Sequence, residues 1–228
     1  MPNAATVLLP LIAINKETTR EEWLKARKRF IGGSDASAIL GMNPYKTNVE
    51  VWQEKTGRVE PEDIGHKPYV QYGLQAEKHL TTLFALDYPQ YQVTANNVYK
   101  VHYHPKHPFI AGTLDGELIE IETGRKGILE VKTTEILNSM HREKWNEKIP
   151  DNYYVQVLHY LLATGWDFAI LKAQLKTVYG DEVRLNTRHY HIERAEVQED
   201  LDYLLKQEIR FWQHVERDIK PNLVLPPI

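Results

Sequence analysis

An aspartate, a glutamate and a lysine stand at positions 115, 130 and 132, inside two apolar-rich runs, residues 109–121 and 127–132. Between the runs lies Glu122-Thr123-Gly124-Arg125. A glycine in a short polar break between β-prone runs predicts a hairpin. Side chains alternate along a strand, so Glu130 and Lys132 share one face while Leu129 and Val131 take the other. With Thr123-Gly124 as a two-residue turn, Asp115 lies opposite Lys132 and Glu130 is a close diagonal neighbour. Two carboxylates with a backbone carbonyl suit a hard divalent cation such as Mg²⁺, which prefers oxygen ligands. A lysine beside such an ion can orient or deprotonate a water, or offset charge on a phosphate. Each fragment also has a plainer reading. Asp-Gly is a common turn dipeptide, and Glu-x-Lys is ordinarily a solvated strand face. The joint pattern inside apolar strands favours a metal site.

Other candidates lie on the elements around this hairpin. Residues 69–86 read as a helix with Leu74, Leu80, Leu83 and Phe84 as a partial apolar stripe. Glu77 sits among them and leans inward, which is costly unless the carboxylate is paired or bound to a metal; a surface pairing with lysine is the alternative. Upstream, Thr18 or Thr19 can cap a helix carrying Glu21, Glu22, Trp23, Arg27 and Phe30. Ile31-Gly32-Gly33-Ser34-Asp35 then enters a second helix, residues 36–40. Glycines allow close backbone approach, and the first N–H groups of a helix attract a phosphate. Ser34 either caps that helix or binds the anion, and Asp35 must point away from any anion. His102, His104 and His107 cluster in a proline-bounded loop; with no cysteine nearby, incidental histidines outweigh a zinc site. Gln156 is polar in a strongly apolar helix that Asp151 can cap, and a buried amide bonded to backbone is its plain reading. Tyr154 and Tyr160 read as packing residues with polar tips.

The remaining elements frame these residues. Thr47 caps a helix over residues 49–55, closed by Gly57. Residues 93–103 alternate as a strand, residues 136–148 are partly helical, and Gly165 ends the glutamine-bearing helix. Residues 167–175 and 183–192 form a second strand pair turning at Tyr179-Gly180-Asp181. Residues 195–218 form a long amphipathic helix stopped by Pro221. The 228 residues, 42% hydrophobic and 26% charged, suit one domain, residues 1–228. There are no cysteines, which excludes disulfides, zinc–thiolate sites and cysteine-ligated iron–sulfur clusters and fits a reducing cytoplasm. A net charge of −3 argues against a generally basic nucleic-acid coat but allows a local positive patch. No run reaches transmembrane length. Residues 1–15 are apolar but hold two prolines and lack a basic start, so they read as an arm or short strand, not a signal peptide.

The order of these motifs resembles a known family. Asp115 with Glu130-Val131-Lys132 looks like the PD-(D/E)xK nuclease signature. Arg27 with Ile31-Gly32-Gly33-Ser34-Asp35, Gly73 with Glu77, and Tyr154, Gln156 and Tyr160 extend the likeness to the lambda-exonuclease or YqaJ-like viral recombinase family. The similarity runs from about Trp23 to the strand near Leu175. It implies an α/β, restriction-endonuclease-like fold: a mixed central sheet of about five strands flanked by helices. It implies a Mg²⁺-dependent exonuclease, with Mn²⁺ expected to substitute, that digests one strand of duplex DNA from the 5′ end and leaves a 3′ overhang. By the same likeness Asp115, Glu130 and the Val131 carbonyl hold the metal and Glu77 supports a second ion. Lys132 and Gln156 position water, and Arg27 and Ser34 hold a terminal 5′-phosphate. Some members carry a further acidic residue near positions 102–107, which this chain lacks. The family further implies a ring-shaped homotrimer, a single-strand annealing protein as partner, no membrane, and action in a bacterial host's cytoplasm. Two rival readings stay open: a structure-specific or restriction-type endonuclease, and a catalytically silent DNA-end-binding subunit.

Overall fold

A computed structural model describes residues 20–95 and 100–225. Among these residues four helices precede the sheet: α1 (Arg20–Arg27), α2 (Gly33–Ile39), α3 (Asn48–Lys55) and α4 (Pro68–Asp87). Thr18 and Thr19, the expected caps of α1, and the arm expected over residues 1–15 lie outside the described residues. Helix α3 opens on a reciprocal box in which Thr47 accepts from Glu50 N and Glu50 accepts from Thr47 N. Helix α4 starts with Pro68, whose missing N–H costs nothing at a first helical position. Two expected caps are corrected. Ser34 lies inside α2, whose N-cap is Gly32, and Asp151 lies inside its own helix, behind Pro150.

The strands are β1 (Tyr91–Ala95), β2 (His102–Tyr103), β3 (Ala111–Gly112), β4 (Gly116–Glu120) and β5 (Lys126–Glu135). Helices α5 (Ser139–Glu143) and α6 (Asp151–Thr164) follow, then β6 (Phe168–Tyr179), β7 (Glu182–Glu193), a 3₁₀ turn (Arg194–Val197) and α7 (Gln198–Glu216). The main sheet has the order β1-β4-β5-β6-β7. Only β5 and β6 are parallel, as their crossover through α6 requires. This is the mixed five-stranded, helix-flanked α/β architecture expected above.

Strand β5 is covered on both faces, so Gly127 to Val131 are all buried. Leu129 and Val131 join Leu80 and Phe84 of α4 in one core. Ile128 joins Leu158 and Leu161 of α6 and Leu201 and Leu204 of α7 in the other. Glu130 and Lys132 alternate onto the α6 face.

Four further expectations are revised. The run 109–121 is not one strand. Ile31 N donates to Phe109 O, and Ala111 N donates to Ile31 O, so its first part joins α1–α2 and pairs with β2 in a separate two-stranded sheet. The β4–β5 turn is also longer than two residues. Glu120 N donates to Arg125 O and Gly124 adopts φ +73, closing residues 121–125 as the loop. The register is therefore Gly116 opposite Leu129, two residues from that expected, which brings Asp115 level with Glu130 rather than Lys132. An even shift leaves every side chain on its predicted face. The strand expected over residues 93–103 divides into β1 and β2, with residues 96–99 outside the described set. Of the apolar stripe expected on α4, Leu80 and Phe84 are buried, whereas Leu74 and Leu83 are exposed because the sheet meets a narrower stripe than the sequence offers.

Gly127 lets β5 pass the Phe168 ring, which is packed between Tyr91 and His191. A Cβ there would fall inside contact distance of the ring. Gly127→Ala is expected to cost about 1–3 kcal/mol, measured as a lower urea midpoint with an unchanged slope.

Candidate active site

The acidic cluster is assembled from three elements. Glu130 on β5 is 1% exposed. Its Oε1 accepts from Lys132 Nζ at 2.6 Å and from Gln156 Nε2 of α6 at 2.8 Å. Gln156 Nε2 also lies 2.8 Å from the Tyr160 hydroxyl. The amide of Gln156 thus serves side chains, not the backbone bond that was its plainer reading. Just before β4, Asp115 Oδ2 accepts from Val131 N at 2.7 Å. Glu77 comes from α4 and is half-buried, close enough for Asp115 and Lys132 to shift its ionisation.

Electrostatics follow from burial. Desolvation, reinforced by Asp115 and opposed by Lys132, pushes Glu130 up to about 8. Desolvation and Asp115 together push Glu77 up to about 7. Asp115 is raised by burial against the pull of Lys132 and the Val131 N–H. Burial also works against the charge on Lys132, but Glu130 and Asp115 outweigh it and hold this ammonium above the ordinary lysine range. Three carboxyls beside one ammonium form a site that gains from additional positive charge. Glu130 Oε2 is buried with no hydrogen-bond partner among the described residues. That oxygen and the Asp115 carboxylate fit a hard divalent cation. No group of three or more His, Cys, Asp or Glu side chains is gathered in metal-holding positions among the described residues.

A cleft of about 190 Å³ adjoins this cluster. Arg27, Ser34, Gly33, Gly112 and Thr113 line it, together with the same Gln156 and Tyr160 that meet the acidic cluster. Arg27 Nη2 donates to Ser34 Oγ at 3.2 Å, and its guanidinium lies 4.8 Å from the Trp23 ring centroid. Asp35 does not repel an anion here. It turns back, its Oδ2 accepting from Gly32 N at 3.1 Å and from Lys55 Nζ at 2.7 Å. Burial acts against its charge, but Lys55 and Arg27 prevail and keep it well below the usual carboxylate range. Lys55 Nζ also donates to Arg27 O at 2.8 Å, fixing the end of α1. A Cβ on Gly33 or Gly112 would stand 2.7 or 2.6 Å from the Tyr160 ring. Both glycines are therefore required by close approach.

The histidine loop is outside this site. His104 Nδ1 accepts from the backbone N–H groups of Lys106 and His107 and braces the turn. His102, expected in the loop, is instead on strand β2, where it lies beside Glu117 at 3.4 Å. Tyr154 donates to Asp200 at 2.7 Å and packs away from the cluster. Sequence reasoning missed Lys55 and the buried pair His159–Glu208. Their only signal was a polar residue at a helical spacing that packs inward.

A family model, the YqaJ-like viral recombinase domain, matches residues 22–167. The chain belongs to this family. The uncharacterized protein YqaJ of Bacillus subtilis (strain 168) is 35% identical over 207 residues, covering 89% of this chain and 58% of that protein. The chain thus spans under two thirds of that relative's length. Among solved structures, the fold is similar to the alkaline exonuclease LHK-Exo of Laribacter hongkongensis. The TM-score is 0.62 at 16% identity, over 87% of this chain and 93% of that one. LHK-Exo in complex with dAMP gives 0.61 at 16% identity and the same coverage. A phage-related exonuclease from Haemophilus somnus 129PT gives 0.52 at 13% identity, over 83% and 96%. These YqaJ-like and exonuclease likenesses agree with the family and fold read from the motifs. No helix among the described residues is long and apolar enough to cross a membrane.

Glu130 and Glu77 hold protons in the folded chain at a pH where the unfolded chain has released them. From the ordinary glutamate range up to about 8 the native state therefore binds more protons, and stability of the metal-free protein falls as pH rises. A cation reverses this, because its ligands must be deprotonated. Mg²⁺ or Mn²⁺ is expected to raise Tm more at pH 8 than at pH 6, and Glu130→Gln to remove most of that difference. Differential scanning calorimetry across the two pH values measures it.

Proposed function

We propose that this protein is a metal-dependent exonuclease acting on linear double-stranded DNA from the 5′ end. It releases 5′-mononucleotides and leaves a 3′ single-stranded overhang for strand-annealing recombination. The observation that carries this reading is the sharing of Gln156 and Tyr160 between a carboxylate–lysine cluster and an arginine–serine cleft. A site for a cation and a site for an anion meet at one pair of side chains.

Asp115, Glu130 and the Val131 carbonyl would hold Mg²⁺, with Glu77 supporting a second ion. When bound, the metal supplies charge stabilisation at the phosphoryl and leaving oxygens. Arg27 and Ser34 hold the terminal 5′-phosphate and so set polarity; the charge-assisted fork of arginine suits this. Gln156 is fixed by Glu130 and Tyr160 and orients the attacking water. Lys132, which shares Glu130 Oε1 with Gln156, helps position that water and balances charge. Solution assembly as a ring of three copies and cooperation with a single-strand annealing protein complete the reading. A ring needs positive charge only along its channel, in keeping with a net charge of −3.

End-labelled linear duplex incubated with Mg²⁺ should lose label first at the 5′ terminus, while closed circular duplex stays intact. Cutting of the circle would favour the endonuclease reading, and no nucleotide release would favour a silent end-binder. Lys132→Ala should lower kcat by about 10²–10³ or more while DNA binding persists; near-normal turnover would reject its role. Arg27→Ala should weaken the preference for 5′-phosphorylated over 5′-hydroxyl ends by about tenfold, the scale of one charged hydrogen bond. Equal loss on both ends, seen in paired kcat/KM measurements, would count against it.

A further inference from the structure

His159 on α6 and Glu208 on α7 are completely buried and take no part in the hydrolysis outlined above. His159 Nε2 lies 3.0 Å from Ala111 O. A carbonyl only accepts, so Nε2 carries a proton and donates. Nδ1 lies 2.7 Å from Glu208 Oε1, a line that holds one further proton. Burial disfavours a charged imidazole, but Glu208, the Ala111 carbonyl and Asp35 raise the His159 pKa, in keeping with an imidazolium–carboxylate pair. Well-packed apolar residues at such positions are often as stable or more so. Stability alone therefore gives little reason for this pair.

What the imidazole ring holds is strand β3. Ala111 N donates to Ile31 O at 3.1 Å and Ala111 O accepts from His159, so both sides of this residue are tied. Gly112 and Thr113, next along the chain, line the cleft. Asp115 follows before β4. On the helix side, His159 sits beside Tyr160 and one turn from Gln156. There is no slack between the two walls, because a Cβ at Gly112 would stand 2.6 Å from the Tyr160 ring. Any change in the α6–β3 spacing therefore reaches the cleft.

We propose that His159, oriented by Glu208, is a positioning residue that fixes the spacing of α6 and β3 and thereby the fit of the cleft to a strand's terminal phosphate. This rests on the cleft's role as the 5′-phosphate site. The readout is the ratio of kcat/KM for 5′-phosphoryl and 5′-hydroxyl linear duplexes with Mg²⁺. A loss of folded protein scales both values equally and cancels in the ratio.

His159→Leu combined with Glu208→Leu removes both charges together. If its circular dichroism matches wild type, its ratio should fall by about tenfold or more, the scale expected when a site loosens by a fraction of an ångström. Glu208→Gln lets a neutral His159 keep both hydrogen bonds and should keep the ratio within twofold. Should the double variant not fold, His159→Gln decides: it can bond Ala111 O but loses the orienting bond to Glu208, and its ratio should fall at least threefold. A folded double variant with an unchanged ratio, or equal ratios in His159→Gln and wild type, overturns this inference alone. Wild-type protein that degrades duplex without preferring a 5′-phosphate overturns the cleft reading and this inference together. Wild-type protein that releases no nucleotide overturns the nuclease reading as well.

Discussion

The structure depends on a buried carboxylate, Glu130, held in the middle of a strand covered on both faces. An isolated carboxylate at such a place is too costly to keep ionised. The surroundings answer with one ammonium, one amide and a raised pKa, leaving one oxygen unpartnered among the described residues. Every neighbour is arranged around this cost. Helix α6 must cross over the sheet to bring Gln156, and α4 must run along the opposite face to bring Glu77. The same strand that supplies Glu130 supplies Lys132, so alternation alone puts cation and anion side by side.

Helix α6 is where architecture and chemistry coincide. It is the crossover that makes β5 and β6 parallel. Its apolar face fills the larger core, and its polar residues point at three different targets. Gln156 meets Glu130, Tyr160 meets Gln156 while its ring presses Gly33 and Gly112, and His159 meets Ala111 and Glu208. A helix so constrained cannot slide. The glycine-rich entry of α2 is fixed independently by Asp35 and Lys55, which also secure the end of α1 behind Arg27.

Much of this was legible in the sequence, because local signals and periodicity carry face information well. The alternation of Ile128 to Lys132 gave the right faces even though the turn was misjudged, since the register error was an even number of residues. The two-residue turn failed because Thr123 and Glu120 hydrogen-bond to each other and stabilise a longer loop. Whether an acidic residue in α4 faces inward was visible only as a spacing. Leu74 and Leu83 share that spacing and are exposed, so periodicity alone did not distinguish them. Charge pairs between distant segments, Asp35 with Lys55 and His159 with Glu208, show locally only as a polar residue at an inward helical spacing, which does not name the partner. Ser34 looked like a cap because its residue type suits one; the backbone chose Gly32 instead.

The parallel pairing of β5 with β6 carries a temporal consequence. Antiparallel neighbours such as β4 and β5 can zip from a nearby loop, but Glu130 and its strand partner Leu171 are 41 positions apart. The chain must therefore close a long, entropically unfavourable excursion before the wall behind Glu130 exists. During refolding, the buried surroundings of Glu130 would form as a late event, after most helical signal has returned.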